Sequence, residues 1–271
     1  DITSKGTITD WELFLSDIKP IAEITHEHLN SLQSRKPKSR AIPSALKSIK
    51  DQIVQVQTAI YAAQILQQKE KVDGLIELDL PTPSIDNIAE FAWEFPGSEL
   101  NQWKLPLNIT DPQSILSTLL RATNRAFCMH LKQLNIPAIA IDYEQIDKNT
   151  LNDVIKSTLA LDLKLELDED GITTASELAN LFSTNPSRRV LDKLLKHSLP
   201  TPKLITYESN SINNLDLLEK DKNDSSDLIQ APWTCPTINY HEINNQRILL
   251  ALLKEGKQRP NARHKTIVNL G

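Results

Sequence analysis

Residues 111–142 read DPQSILSTLLRATNRAFCMHLKQLNIPAIAID, and this stretch decides the fold class. Asp111 is a good N-cap, and Pro112 suits the first helical turn, where its missing N–H costs nothing. Ile115, Leu116, Leu119, Leu120, Ala126, Phe127 and Leu131 then recur at helical spacing up to Pro137. Ala138 to Asp142 is an apolar run long enough only for a buried strand, and a further helix fits 150–160. Helix, buried strand and helix in that order predict a mainly α protein with a small α/β core, its short parallel or mixed sheet flanked by helices.

Working outward, Leu75 to Leu80 is short and apolar and ends at Pro81, so a strand is expected. A short helix is expected over 84–94. Upstream, Pro43 opens a long helix in this reading. Leu46, Ile49, Ile53, Val56, Ile60 and Ala63 follow at three- and four-residue steps, and Asp73-Gly74 stops it. That seam reads as the core face of a helix, or as the dimerisation face of a helical scaffold. Thr9-Asp-Trp-Glu12 has the form of a capping box, which predicts a helix carrying Trp11, Phe14, Leu15 and Ile18 and fading near Ser31. Leu161 to Leu167 alternates apolar and polar and predicts a strand. The expected organisation is a helical region at 1–74, an α/β region at 75–207, an acidic linker or loop at 208–228 and a small basic region at 229–271.

The composition excludes several classes of protein. The chain has 271 residues, of which 39% are hydrophobic and 24% charged, which is ordinary globular usage. It holds 6 glycines, all dispersed, so neither GxGxxG nor a Walker A loop is present. There is no Gly-x-Ser-x-Gly elbow. The 2 cysteines, far apart, do not make a disulfide framework. No run reaches the ~18 apolar residues of a membrane helix. A cytoplasmic protein without membrane contact is expected. Cys128, His130, Cys235 and His241 lack the close pairing of a zinc site, and His26 and His28 point roughly 200° apart on a helix. No metal or cofactor is expected.

Charge is segregated along the chain. The net charge is −5, yet residues 182–203 carry five Lys/Arg and one acid, and residues 246–271 carry six and one. Thr174-Ala-Ser-Glu177 is a second capping box, opening a helix to about Phe182, and another helix runs from Ser187 to about His197. This pair resembles the helix-turn-helix module of bacterial DNA-binding proteins. Glu177-Leu178-Ala179 stands where that family has Glu-Leu-Ala, Val190 and Leu194 stand at core positions, and Leu199 to Lys203 resembles the segment leading into a strand. Ser183 and Asn185 depart from the pattern. The resemblance implies nucleic-acid contact through Ser187, Arg188, Arg189, Lys193, Lys196 and Lys203. Arg259, Arg263 and Lys265 would add charge from the C-terminal stretch. There, Arg247 to Leu253 and Lys265 to Gly271 would pair as a basic hairpin, similar to one in insertion-sequence transposases.

The leading expectation is a non-enzymatic protein that binds DNA, with RNA as the other nucleic acid such a surface admits. Ile139 to Glu144, with the following helix, is similar to the Tyr-Glu segment of bacterial sulfotransferases, although no phosphate cradle precedes it. A sulfotransferase-like enzyme without that loop is one alternative. A scaffold dimerising through residues 46–63 is the other.

Overall fold

The computed structural model describes residues 1–36, 42–81, 103–142, 146, 148–165, 173–207, 229–234 and 239–255. Among them are seven α-helices: α1 (His26–Gln33), α2 (Ile53–Val72), α3 (Pro112–Gln133), α4 (Asn152–Ala160), α5 (Ala175–Phe182), α6 (Arg188–Ser198) and α7 (Tyr240–Glu255). The strands are β1 (Ile76–Glu77), β2 (Trp103–Lys104), β3 (Ala138–Asp142) and β4 (Lys203–Tyr207). Strands β1 and β2 pair in parallel, and β3 and β4 pair antiparallel with Ala138 opposite Tyr207 and Asp142 opposite Lys203. The protein is mainly α, as the helix–strand–helix pattern predicts, but in place of one short parallel or mixed sheet it has two separate two-stranded sheets, and β3 pairs antiparallel with β4.

Helix α3 is the spine. Asp111 caps it, its Oδ1 accepting from the Gln113 N–H at 3.0 Å, and Pro112 occupies the first turn. Toward its N-terminus, Ile115 packs into a core with Leu29, Leu32, Leu46, Ile49, Ile53, Ile60 and Ala63. Toward its C-terminus, Phe127, Cys128 and Leu131 pack into another core with Ala138, Leu249, Leu252 and Leu253. A third core joins Ile76, Leu78 and Leu80 to α4, α5 and α6 through Val154, Leu178, Phe182, Leu191 and Leu195. The carboxamide of Asn245 on α7, fully buried, clamps the edge of β3 and also donates to the Pro232 carbonyl at 2.7 Å. It accepts from the Ile139 N–H at 3.0 Å and donates to the Ile139 carbonyl at 2.7 Å.

Four expectations fail here. Residues 9–24 are irregular despite the box-like Thr9 and Glu12. The Thr9 N–H instead donates to the Asp1 carbonyl at 3.0 Å, closing a small hairpin at the Ile2–Ile8 bridge, and Trp11 Nε1 donates to His130 Nδ1 at 3.2 Å. The helix starts at Thr25, in a capping box with His28. Pro43 precedes two 3₁₀ turns, and α2 begins only at Ile53. Residues 161–165 form no strand, because α4 ends in a turn with Asp162 at φ 54°. Residues 240–255 are the helix α7, so Arg247 to Leu253 is not one arm of a basic hairpin.

The seam at 46–63 lies inside the protein. Leu46 and Ala63 are wholly buried, and Ile49, Ile53 and Ile60 nearly so, against α1 and α3. It therefore offers no dimerisation face. Gly74, at φ 94°, ends α2 where the sequence reading places the stop. The expected helix at 84–94 and the linker at 208–228 lie outside the described residues. No helix among the described residues is long and apolar enough to cross a membrane.

Candidate nucleic-acid interface

The α5–α6 hairpin forms as its sequence dictates. The Thr174 hydroxyl accepts from the Glu177 N–H at 3.2 Å, and Glu177 Oε2 accepts from the Thr174 N–H at 2.8 Å. That backbone hydrogen bond holds the Glu177 carboxyl below the usual carboxylate range. Leu178, Ala179 and Phe182 meet Leu191 and Leu195 in a shared core.

The polar edge of the hairpin differs from the expectation. Val190, expected in the core, is 72% exposed, and Leu191 and Leu195 take the inward positions. Arg188 does not face solvent. Its Nε lies 3.2 Å from Asp192 Oδ2, and its guanidinium reaches Glu77 at 3.9 Å. Asp192, wholly buried, also accepts from the Asp79 N–H at 2.7 Å. Arg188 and Asp192 thus fasten α6 to the segment after β1. Lys196 lies over the Trp103 ring, 5.4 Å from its centroid. Ser187, Arg189, Lys193 and Lys203 remain exposed, with Arg189 Nε 3.7 Å from Asp79 Oδ2. Arg259, Arg263 and Lys265 lie outside the described residues.

A second charged constellation is absent from the sequence reading. Glu70 on α2 is 2% exposed and accepts from three cations: Lys104 at 2.6 Å, Arg121 at 2.7 Å and Arg125 at 2.8 Å. Burial pushes the Glu70 carboxyl up, but Arg121, Lys104 and Arg125 together outweigh it and hold it below the usual range. For Lys104, burial and the nearby Arg121 outweigh Glu70 and bring the ammonium down to about 7. The Nε atoms of Arg121 and Arg125 are buried without a hydrogen-bond partner. The signal in sequence is slight: Gln67 and Glu70 sit on the otherwise apolar buried face of α2.

Beside this cluster lies a cavity of about 270 Å³, between the N-terminal hairpin, the end of α2 and the second half of α3. Lys69, Arg125 and Lys132 line it together with Asp73, which Lys69 engages. Ile8, Met129 and Ile229 give it an apolar side, and Gly6 and Cys128 complete it. Burial pushes the Cys128 thiol up to about 11, so it is a neutral wall atom. Among the described residues, no three His, Cys, Asp or Glu side chains converge as a metal site needs. Cys235, Tyr143 and Glu144 lie outside the described residues.

A family model of the RNB domain matches residues 1–255. The chain belongs to the RNB-domain family. No curated protein sequence matches it. The RNB match overturns the helix-turn-helix reading, because that resemblance rested on about thirty residues of a hairpin that this fold uses as a packing unit. It likewise replaces the non-enzymatic DNA-binding reading, the sulfotransferase-like alternative and the scaffold alternative.

Proposed function

We propose that this RNB-domain chain acts on RNA as part of a 3′-to-5′ exoribonuclease. The observation that carries the reading is the match of the RNB family across residues 1–255. An enzyme that shortens RNA step by step meets a new sequence after each removal. Its grip must therefore rest on phosphates rather than on base edges. The exposed cations Arg189, Lys193 and Lys203, with Ser187 beside them, supply such contacts on α6 and β4. In the same reading Arg259, Arg263 and Lys265 add positive charge for RNA. Arg188 and Lys196 act differently. They hold α6 against Glu77 and Trp103, and so fix where the exposed cations stand.

The test is incubation of the chain with a 5′-labelled RNA and with DNA of the same sequence. The expected result is a ladder of RNA products that keep the 5′ label and shorten with time, with DNA left intact. RNA that is bound but stays full length contradicts the nuclease reading, and absence of binding at low salt contradicts RNA recognition altogether.

A further inference from the structure

The Glu70 cluster gathers three basic side chains, of which Lys104 is brought down to about 7 and also feels Glu77. Charges are rarely buried without full compensation. Arg125 is 8% exposed, one terminal nitrogen of its guanidinium is held by Glu70, and its side chain forms part of the wall of the 270 Å³ cavity. The cavity adds Lys132, an exposed ammonium on α3 two turns beyond Arg125, and Lys69, which already holds Asp73. Lining charge is thus three cations against one engaged carboxylate. The other side is apolar, through Ile8, Met129 and Ile229.

From this two-sided lining we infer that the cavity between the N-terminal hairpin, α2 and α3 binds a small organic phosphate, its phosphate on Arg125 and Lys132 and its apolar or planar body against Ile8, Met129 and Ile229. The volume sets the scale. At about 270 Å³ the cavity lies near the lower end of small-ligand pockets, ~300–1,000 Å³, which suits a mononucleotide and excludes a folded polymer. The guanidinium supplies fixed donors for phosphate oxygens, and the ammonium supplies a point charge on a flexible stem. Gly6 permits the hairpin's approach, since a Cβ there would stand 2.6 Å from Lys69 Cβ. This site is separate from the exposed cations of α6 and does not depend on the RNA reading.

Adenosine monophosphate, adenosine and inorganic phosphate are the probes, titrated by calorimetry into the whole chain without RNA. The nucleotide is expected to bind, with each of its two parts at least tenfold weaker. Lys132→Ala should weaken nucleotide binding about tenfold, the equivalent of ~1.4 kcal/mol, and Lys156→Gln should leave it unchanged. Arg125→Lys keeps the charge beside Glu70 but loses the fork, and should weaken binding at least tenfold while the far-ultraviolet circular dichroism is preserved. Equal affinity for adenosine and the nucleotide overturns the proposal, because the phosphate would then play no part. So does nucleotide binding that Lys132→Ala and a folded Arg125→Lys both leave intact, or no nucleotide binding at millimolar concentration. RNA degradation by Lys132→Ala, measured in parallel, reports on the nuclease reading alone.

Discussion

Replacing Glu70 with Gln removes the one carboxylate that holds Lys104, Arg121 and Arg125 together. Glu70 is 2% exposed, and its three partners lie at 2.6, 2.7 and 2.8 Å. Removing one member of a buried ion pair costs ~3–5 kcal/mol, because the remaining charge stays buried without compensation. Three charges are stranded here, but Lys104 sits at about 7 and sheds its proton readily, which relieves part of the cost. The expected loss is therefore on the order of 3–5 kcal/mol. For a chain of this size that is a fall in Tm of roughly 6–20 °C. Urea unfolding followed by tryptophan fluorescence measures it at pH 7. Lys156→Gln, which breaks a solvent-exposed pair with Asp153 at 3.7 Å, is the control and should leave the midpoint unchanged. A loss below about 1 kcal/mol for Glu70→Gln refutes the reasoning, since the cluster would then not be a buried unit. The pH dependence has a definite sign. The unfolded chain protonates Lys104 near its ordinary value of 10.5, while the folded chain does so only near about 7. Between these values the unfolded state binds more protons, so this group makes stability rise with pH across that window.

The two glycines with positive φ should respond differently to Ala. Gly74→Ala meets nothing within 4 Å and should cost about 1 kcal/mol from backbone conformation alone. Gly6→Ala places its Cβ 2.8 Å from the Ile65 carbonyl, so urea unfolding should show a larger loss and hydrogen exchange a loosened N-terminal hairpin. Asp192→Ala should cost on the order of 3 kcal/mol, because the Asp79 N–H and the Arg188 guanidinium lose their shared acceptor. Asp192→Asn should cost less in the same assay, since an amide oxygen still accepts from Asp79. Lys193→Ala should weaken RNA binding equally for unrelated sequences and lower the slope of log K against log salt by ~0.7.

What the sequence makes legible is local. Asp111-Pro112, Asp73-Gly74 and the Thr174–Glu177 box mark helix ends through interactions within four residues, and the structure keeps all three. The Thr9–Glu12 box has the same form but loses, because the Thr9 backbone closes a hairpin with Asp1 and Trp11 docks on His130, 119 residues away. The alternation at 161–165 fails because α4 ends there in a turn with Asp162 at φ 54°, which breaks the extended run. Arg188 reads as a solvent-facing cation because its partner Glu77 lies in a different element, and Asp192 is held by Asp79 across 113 residues. The Glu70 cluster is hidden for the same reason: its partners are 34 to 55 residues away. Basic residues that neutralise buried carboxylates look the same in sequence as basic residues that await a polyanion. The RNB family match, spanning residues 1–255, is a long-range signal that no thirty-residue motif carries.

Directional shortening of RNA is best followed by mass spectrometry of the products from an unlabelled oligoribonucleotide. A nested series that retains the original 5′ end and loses nucleotides one after another from the 3′ end is expected. Full-length RNA after prolonged incubation, or fragments cut internally, would contradict it.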